Sequence, residues 1–171
     1  MRQAIISFSD ALDRWCRWGA IACLAAMLLF VSIQVIARYV FAQPPSWTEE
    51  LTRFSMVWGG MLGAAVAFKA RFDPALFSVA EDRPKAVVIG ATLIASAAVV
   101  VFVLPVLYYS LFGAGWEFSN GFLARQAGRT ADTLGFTMVW IAIAVPFAIT
   151  TIIIHLIARL AGDRSGIEEK T

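Results

Sequence analysis

Four apolar runs, residues 19–40, 54–68, 86–112 and 134–158, take up about half of this chain and leave its fold little choice. A run of 22, 27 or 25 residues rising 1.5 Å per residue crosses roughly 30 Å of hydrocarbon. The second run has only 15 residues, so the helix that carries it must begin earlier. With 60% hydrophobic and 15% charged residues, the chain is too apolar for an ordinary soluble domain. The expectation is an all-α membrane protein: one domain, residues 1–171, with four transmembrane helices and a polar tail over 159–171.

Amphipathic pieces frame the first two spans. Residues 1–18 place Ile5, Phe8, Leu12 and Trp15 at helical spacing among Asp10, Asp13, Arg14 and Arg17, which predicts an N-terminal amphipathic helix on the membrane surface. The 19–40 run continues without a polar mature start, so it reads as a retained span rather than a cleaved signal. Pro44 and Pro45 forbid continuation of the first helix, and Ser46 with Glu49 fits a capping box that starts the next. Two geometries follow for residues 47–68: one tilted helix, or a short interfacial helix over 47–53 that bends into the bilayer near Phe54. The stripe of Trp47, Leu51, Phe54 and Trp58 favours the interfacial piece. Gly59, Gly60, Gly63, Ala64 and Ala67 give that helix a small-residue face that a neighbouring helix can approach closely.

Polar loops join the later spans. Residues 69–85 form one, with a short surface segment over 74–79. The 113–133 loop carries Trp116, Phe118 and Phe122, aromatic residues of the membrane interface, with Glu117, Arg125, Arg129 and Asp132. Pro105 predicts a kink in the third span, and Pro146 lies near the middle of the fourth. Four spans put both termini on one side. Of 14 lysines and arginines all but Arg38, Arg53, Arg125 and Arg129 fall on that side, so the termini are expected in the cytoplasm. Phe54-Ser55-Met56-Val57-Trp58 is echoed by Phe136-Thr137-Met138-Val139-Trp140, through a duplicated hairpin or through two tryptophans at one interfacial depth.

Chemistry-bearing residues are few. Arg38, Glu49, Glu50 and Arg53 lie at the entrance of the first hairpin, and the spacing of both glutamates to Arg53 allows an ion pair. Charge in hydrocarbon is the usual pointer to a transport path; the structural reading is a charged cluster fixing the hairpin, which Gln34 joins by hydrogen bonding. His155 is the sole histidine, so a pair of haem ligands is not available, and it reads as an interface residue. Cys16 and Cys23 read as packing residues. No phosphate loop, nucleophile elbow or HExxH occurs, which leaves no basis for an enzyme or a cofactor, and no basic block suggests nucleic acid.

The pattern ARYVF…P-x-W-T-E-E-L-x-R…MVW…LGAA closely resembles the small membrane subunit of tripartite ATP-independent periplasmic (TRAP) transporters, the DctQ type. Arg38, Tyr39, Trp47, Glu49, Glu50, Leu51, Arg53, Trp58, Gly63, Ala64 and Ala65 carry the likeness. Where members commonly carry a histidine after the second span, this chain has Phe72-Asp73-Pro74. The resemblance implies a large twelve-span permease (DctM type) holding substrate and sodium sites, and a periplasmic binding protein delivering an organic acid. This chain then acts as scaffold beside an elevator-like partner. Tyr39, Trp47, Leu51, Trp58, Gly59, Gly63 and Ala64 become packing or partner-interface candidates, and Arg125 and Arg129 candidates for docking the binding protein. Two other classes with few spans are a proton-coupled exporter, which needs a membrane-embedded carboxylate, and a haem or quinone anchor, which needs histidines.

Overall fold

The computed structural model describes residues 2–70, 85–113 and 116–161, residues 85–89 by backbone only. The surface segment expected over 74–79, the Phe72-Asp73-Pro74 departure and the tail beyond 161 lie outside the described residues. Six α-helices follow in order: α1 (Arg2–Val40), α2 (Ser46–Lys69), α3 (Lys85–Leu111), α4 (Phe122–Ala127), α5 (Val139–Ala142) and α6 (Ala144–Leu160). A 3₁₀ turn, Phe118–Asn120, precedes α4. α1, α2, residues 90–111 of α3, and α5 with α6 taken together are each long and apolar enough to cross a membrane. The chain is an all-α membrane protein.

α1 and α2 form an antiparallel hairpin in close register. Phe30 meets the Trp47 ring edge-on at 6.4 Å. Further along, a Cβ on Gly59 would lie 3.2 Å from the Cys23 Cβ, and one on Gly19 only 2.9 Å from a Leu62 methyl. At the far end the Lys69 Nζ donates to Asp10 Oδ1 at 2.5 Å. This register offsets the two apolar runs. The polar start of α2 lies beside the apolar stretch of α1, and the amphipathic start of α1 lies beside the apolar end of α2.

That offset corrects two sequence expectations. The 1–18 stretch is helical but not a separate surface helix: it forms the first turns of the 39-residue α1, roughly 58 Å long. Its polar face is turned inward, with Ser9, Asp13 and Cys16 buried. Ser9 Oγ shares a hydrogen bond with His155 Nδ1 of α6 at 2.8 Å, and the Cys16 thiol lies against the Thr151 hydroxyl. Asp13 Oδ2 accepts from Arg17 at 3.4 Å. Likewise 47–53 is no separate interfacial helix but the first turns of α2. An amphipathic segment whose polar side chains find partners on a neighbouring helix gains nothing by bending away to the headgroups.

The ends of these helices also differ from expectation. No capping box forms; extended Pro45 precedes the first turn, and Thr48 donates both its backbone N–H and its hydroxyl to the Pro45 carbonyl. α1 stops before the prolines are reached. Ala42 adopts φ 53°, the left-handed conformation that usually carries glycine at a helix end, and the Gln43 N–H turns back to the Ala37 carbonyl. Replacing Ala42 with glycine is therefore expected to stabilise the protein by about 1 kcal/mol, read as a raised unfolding temperature in detergent. An unchanged or lowered temperature would count against this helix end.

α3 runs through Pro105 and packs chiefly on α6. The fourth span is interrupted, because Pro146 has no N–H for the Ala142 carbonyl and its ring crowds that group. α5 accordingly ends at Ala142, and α6 resumes at Ala144. The buried Ser110 and Thr151 hydroxyls, and that of exposed Thr150, each donate to the carbonyl four residues earlier.

Candidate functional site

The fourth span begins at Val139 rather than at residue 134, because residues 129–138 fold into a tight hairpin-like turn. Thr130 and Thr137 form an antiparallel bridge. The Ala131 N–H donates to the Phe136 carbonyl at 2.8 Å and the Met138 N–H to the Arg129 carbonyl at 2.9 Å. Gly135, at φ 68°, turns the corner without a Cβ penalty. At the tip the N–H groups of Asp132, Thr133 and Leu134 converge, making a concavity suited to an anion.

Glu50 fills it. The residue is only 5% exposed. Its Oε1 accepts the Asp132 N–H at 3.0 Å, and its Oε2 accepts those of Thr133 at 3.1 Å and Leu134 at 3.2 Å. The Thr133 hydroxyl donates to the same Oε2. Four donors onto one side chain suit an ionised carboxylate, which accepts and does not donate. The arrangement is a clamp tying the first turn of α2 to the segment that leads into α5.

Aromatic contacts continue the clamp. Phe54 and Phe136 meet with ring centroids 5.3 Å apart, and the Trp58 indole N–H donates to the Trp140 carbonyl at 3.1 Å. The two echoed pentapeptides therefore lie side by side and parallel, first residue to first and last to last. Trp58 also packs on Phe147 at 6.1 Å. Its bond to Trp140 falls beside the interruption that Pro146 imposes.

The expected charged cluster is not assembled as read. Glu49 pairs with Arg53 at 3.5 Å, both largely exposed. Glu50 bonds the loop instead, because three convergent N–H groups and a hydroxyl compensate a buried carboxylate where an exposed arginine would leave it half solvated. Arg38 is exposed and makes no ion pair among the described residues, and Gln34 does not join a network there. Tyr39 is exposed, Trp47 packs on Phe30, and Leu51 is half-buried. The small face of α2 divides: Gly59 meets α1, whereas Gly60 and Gly63 face open space and Ala64 is exposed. Arg125 and Arg129 are exposed on and after α4.

Two sets of residues escaped the sequence reading. Three of the four donors to Glu50 are backbone groups, which carry no residue-type signal. The Ser9, Asp13, Cys16, Thr151 and His155 set did leave one: polar residues at positions 9, 13 and 16 share a helix face, as do 151 and 155 within an otherwise apolar run.

None of this geometry is a reaction centre; it holds helices in place. Comparison with known proteins agrees. Residues 27–166 match the family described as tripartite ATP-independent periplasmic transporters, DctQ component. A curated relative from Haemophilus influenzae, carrying the name of a TRAP transporter small permease protein, is 37% identical over 68 residues. That match spans 40% of this chain and 40% of the relative's length. With four helices apolar enough to span a membrane, a buried glutamate tying the second to the approach of the fourth, and the family profile covering most of its length, the chain belongs to the DctQ family of TRAP transporter small subunits, a transporter component and not an enzyme.

Proposed function

We propose that this chain is the fixed frame of a sodium-coupled, binding-protein-dependent transporter for organic acids. It stands beside a large DctM-type elevator permease that moves substrate and sodium, while a periplasmic binding protein delivers the acid. The Glu50 clamp carries the reading: it spends a buried charge on locking α2 to the α4–α5 connection, a use suited to a stator and unsuited to ion transfer. Asp13, the other buried carboxylate among the described residues, lies toward the opposite end and pairs with Arg17. Among the described residues no group of three or more His, Cys, Asp or Glu side chains is placed to hold a metal ion. Sodium and substrate then belong to the large subunit.

In this reading the end bearing Trp47, Trp58 and Trp140 faces the periplasm, and the Lys69–Asp10 end faces the cytoplasm of a bacterial inner membrane. Arg125 and Arg129 lie on the periplasmic side, available to the binding protein. A reporter active only outside the cytoplasm is expected to work at Pro45 and fail at Thr171. Vesicles holding this subunit alone are expected to take up no carboxylate, and vesicles holding both membrane subunits with binding protein outside to accumulate it down a sodium gradient. Uptake by this subunit alone, or undiminished uptake in its absence, would overturn the proposal.

A further inference from the structure

Two apolar clefts open near α4, of about 360 and 440 Å³. The first lies against α2 and is walled by Phe54, Val57 and Ile141; the second lies against α3 and is walled by Pro105, Val106 and Tyr109. Phe122 and Val145 line both, so these two side chains form the ridge between them. Charged groups border each cleft: Arg53, Asp132 and the loop-bonded Glu50 the first, Arg125 the second.

The surroundings indicate what covers this surface. Trp47, Tyr109, Trp116, Phe118 and Trp140 are exposed around this end of the bundle, an aromatic belt of the kind that sits at headgroup level. The clefts therefore have charged rims at the depth of lipid headgroups and apolar walls at the depth of acyl chains. A protein helix, about 10 Å across, would ride on the Phe122–Val145 ridge and leave both clefts empty. Two separate acyl chains would straddle it.

We infer that this surface is a binding site for one zwitterionic aminophospholipid, with one acyl chain in each cleft. Its phosphate is held by Arg53 and Arg125 and its ammonium lies toward Asp132. Arginine is suited to the phosphate because its planar fork donates two parallel hydrogen bonds. The exposed Glu49 partner of Arg53 holds it loosely, at 3.5 Å, and leaves donors over. Both charge signs at the rims favour an ethanolamine headgroup over an anionic one. The inference rests on the chain being a membrane subunit and is independent of the stator reading, since its readout is bound lipid and not uptake.

The test uses the complex of small and large subunits, purified in detergent and titrated with phosphatidylethanolamine or phosphatidylglycerol, with bound lipid counted by native mass spectrometry. One phosphatidylethanolamine per small subunit is expected to survive washing, and phosphatidylglycerol is expected to bind on the order of tenfold more weakly. Val145→Trp, which intrudes on the clefts from the ridge, and the double variant Arg53→Ala with Arg125→Ala are each expected to lower retention at least about tenfold. The arginine variant leaves the apolar walls intact and decides the matter if the tryptophan variant fails to assemble. A photoreactive residue in place of Gln126 is expected to label lipid. Wild-type retention in the arginine variant, equal binding of both lipids, or labelling of the large subunit instead of lipid would overturn the assignment.

Discussion

Replacing Glu50 with glutamine is expected to cost the protein its assembled form nearly as completely as replacing it with alanine. The two side chains have almost the same shape, so the difference lies in hydrogen-bond polarity. Both carboxylate oxygens accept from the loop, three N–H groups and one hydroxyl between them. Glutamine turns one of those acceptors into an NH₂ that faces donors, and every rotamer leaves at least one buried N–H without a partner. Aspartate keeps the charge but is a methylene short of the loop. Recovery of the small subunit with its large partner is expected to fall on the order of tenfold for Glu50→Gln and Glu50→Ala alike. Glu49→Gln serves as the control. That neighbour pairs with Arg53 across 3.5 Å in solvent, and exposed pairs contribute little. A Glu50→Gln protein that assembles like the native one would show that the carboxylate charge does no structural work.

The second large effect is expected at Gly121. A Cβ there would fall on the Leu111 carbonyl, against the last turn of α3, and backbone cannot move aside as a flexible side chain can. α4 would have to lift away from α3 and take with it the connection toward the Glu50 clamp. Gly121→Ala is expected to destabilise the protein by about 3 kcal/mol, the upper part of the overpacking range. Gly128→Ala is the matched control: its new methyl would meet only the Arg125 carbonyl at 3.9 Å, an ordinary contact. Thermal unfolding in detergent is expected to separate the two variants by many degrees, with Gly128→Ala near the native value. Equal melting of both would mean that α4 is not seated on the end of α3.

Much of this architecture was legible from residue order. The apolar runs fall on the four described helices that are long and apolar enough to cross a membrane, and Pro44 with Pro45 marked the first turn of the chain. Pro146 was placed near the middle of the last span, but the interruption at the carbonyl four residues earlier was not foreseen. The ARYVF and WTEEL stretches identified the family, and residues 27–166 match it. Amphipathicity was read correctly at 1–18 and 47–53, but its partner was not. A polar face is the same pattern whether it meets headgroups or another helix, and only the register of α1 on α2 and α6 tells the two apart.

Glu50 marks the boundary of such reading most sharply. Its position before Arg53 suggested a pair along the helix, and the structure instead brings to it backbone groups more than eighty residues away. Hydropathy acts residue by residue and needs only the bilayer as solvent, so the sequence by itself determined that four helices are long and apolar enough to cross, and to which family the chain belongs. Which donor satisfies each buried polar atom depends on helices meeting in space. That was decided by tertiary packing alone, because an unpaired charge in a dry interior takes whichever partner the folded backbone delivers.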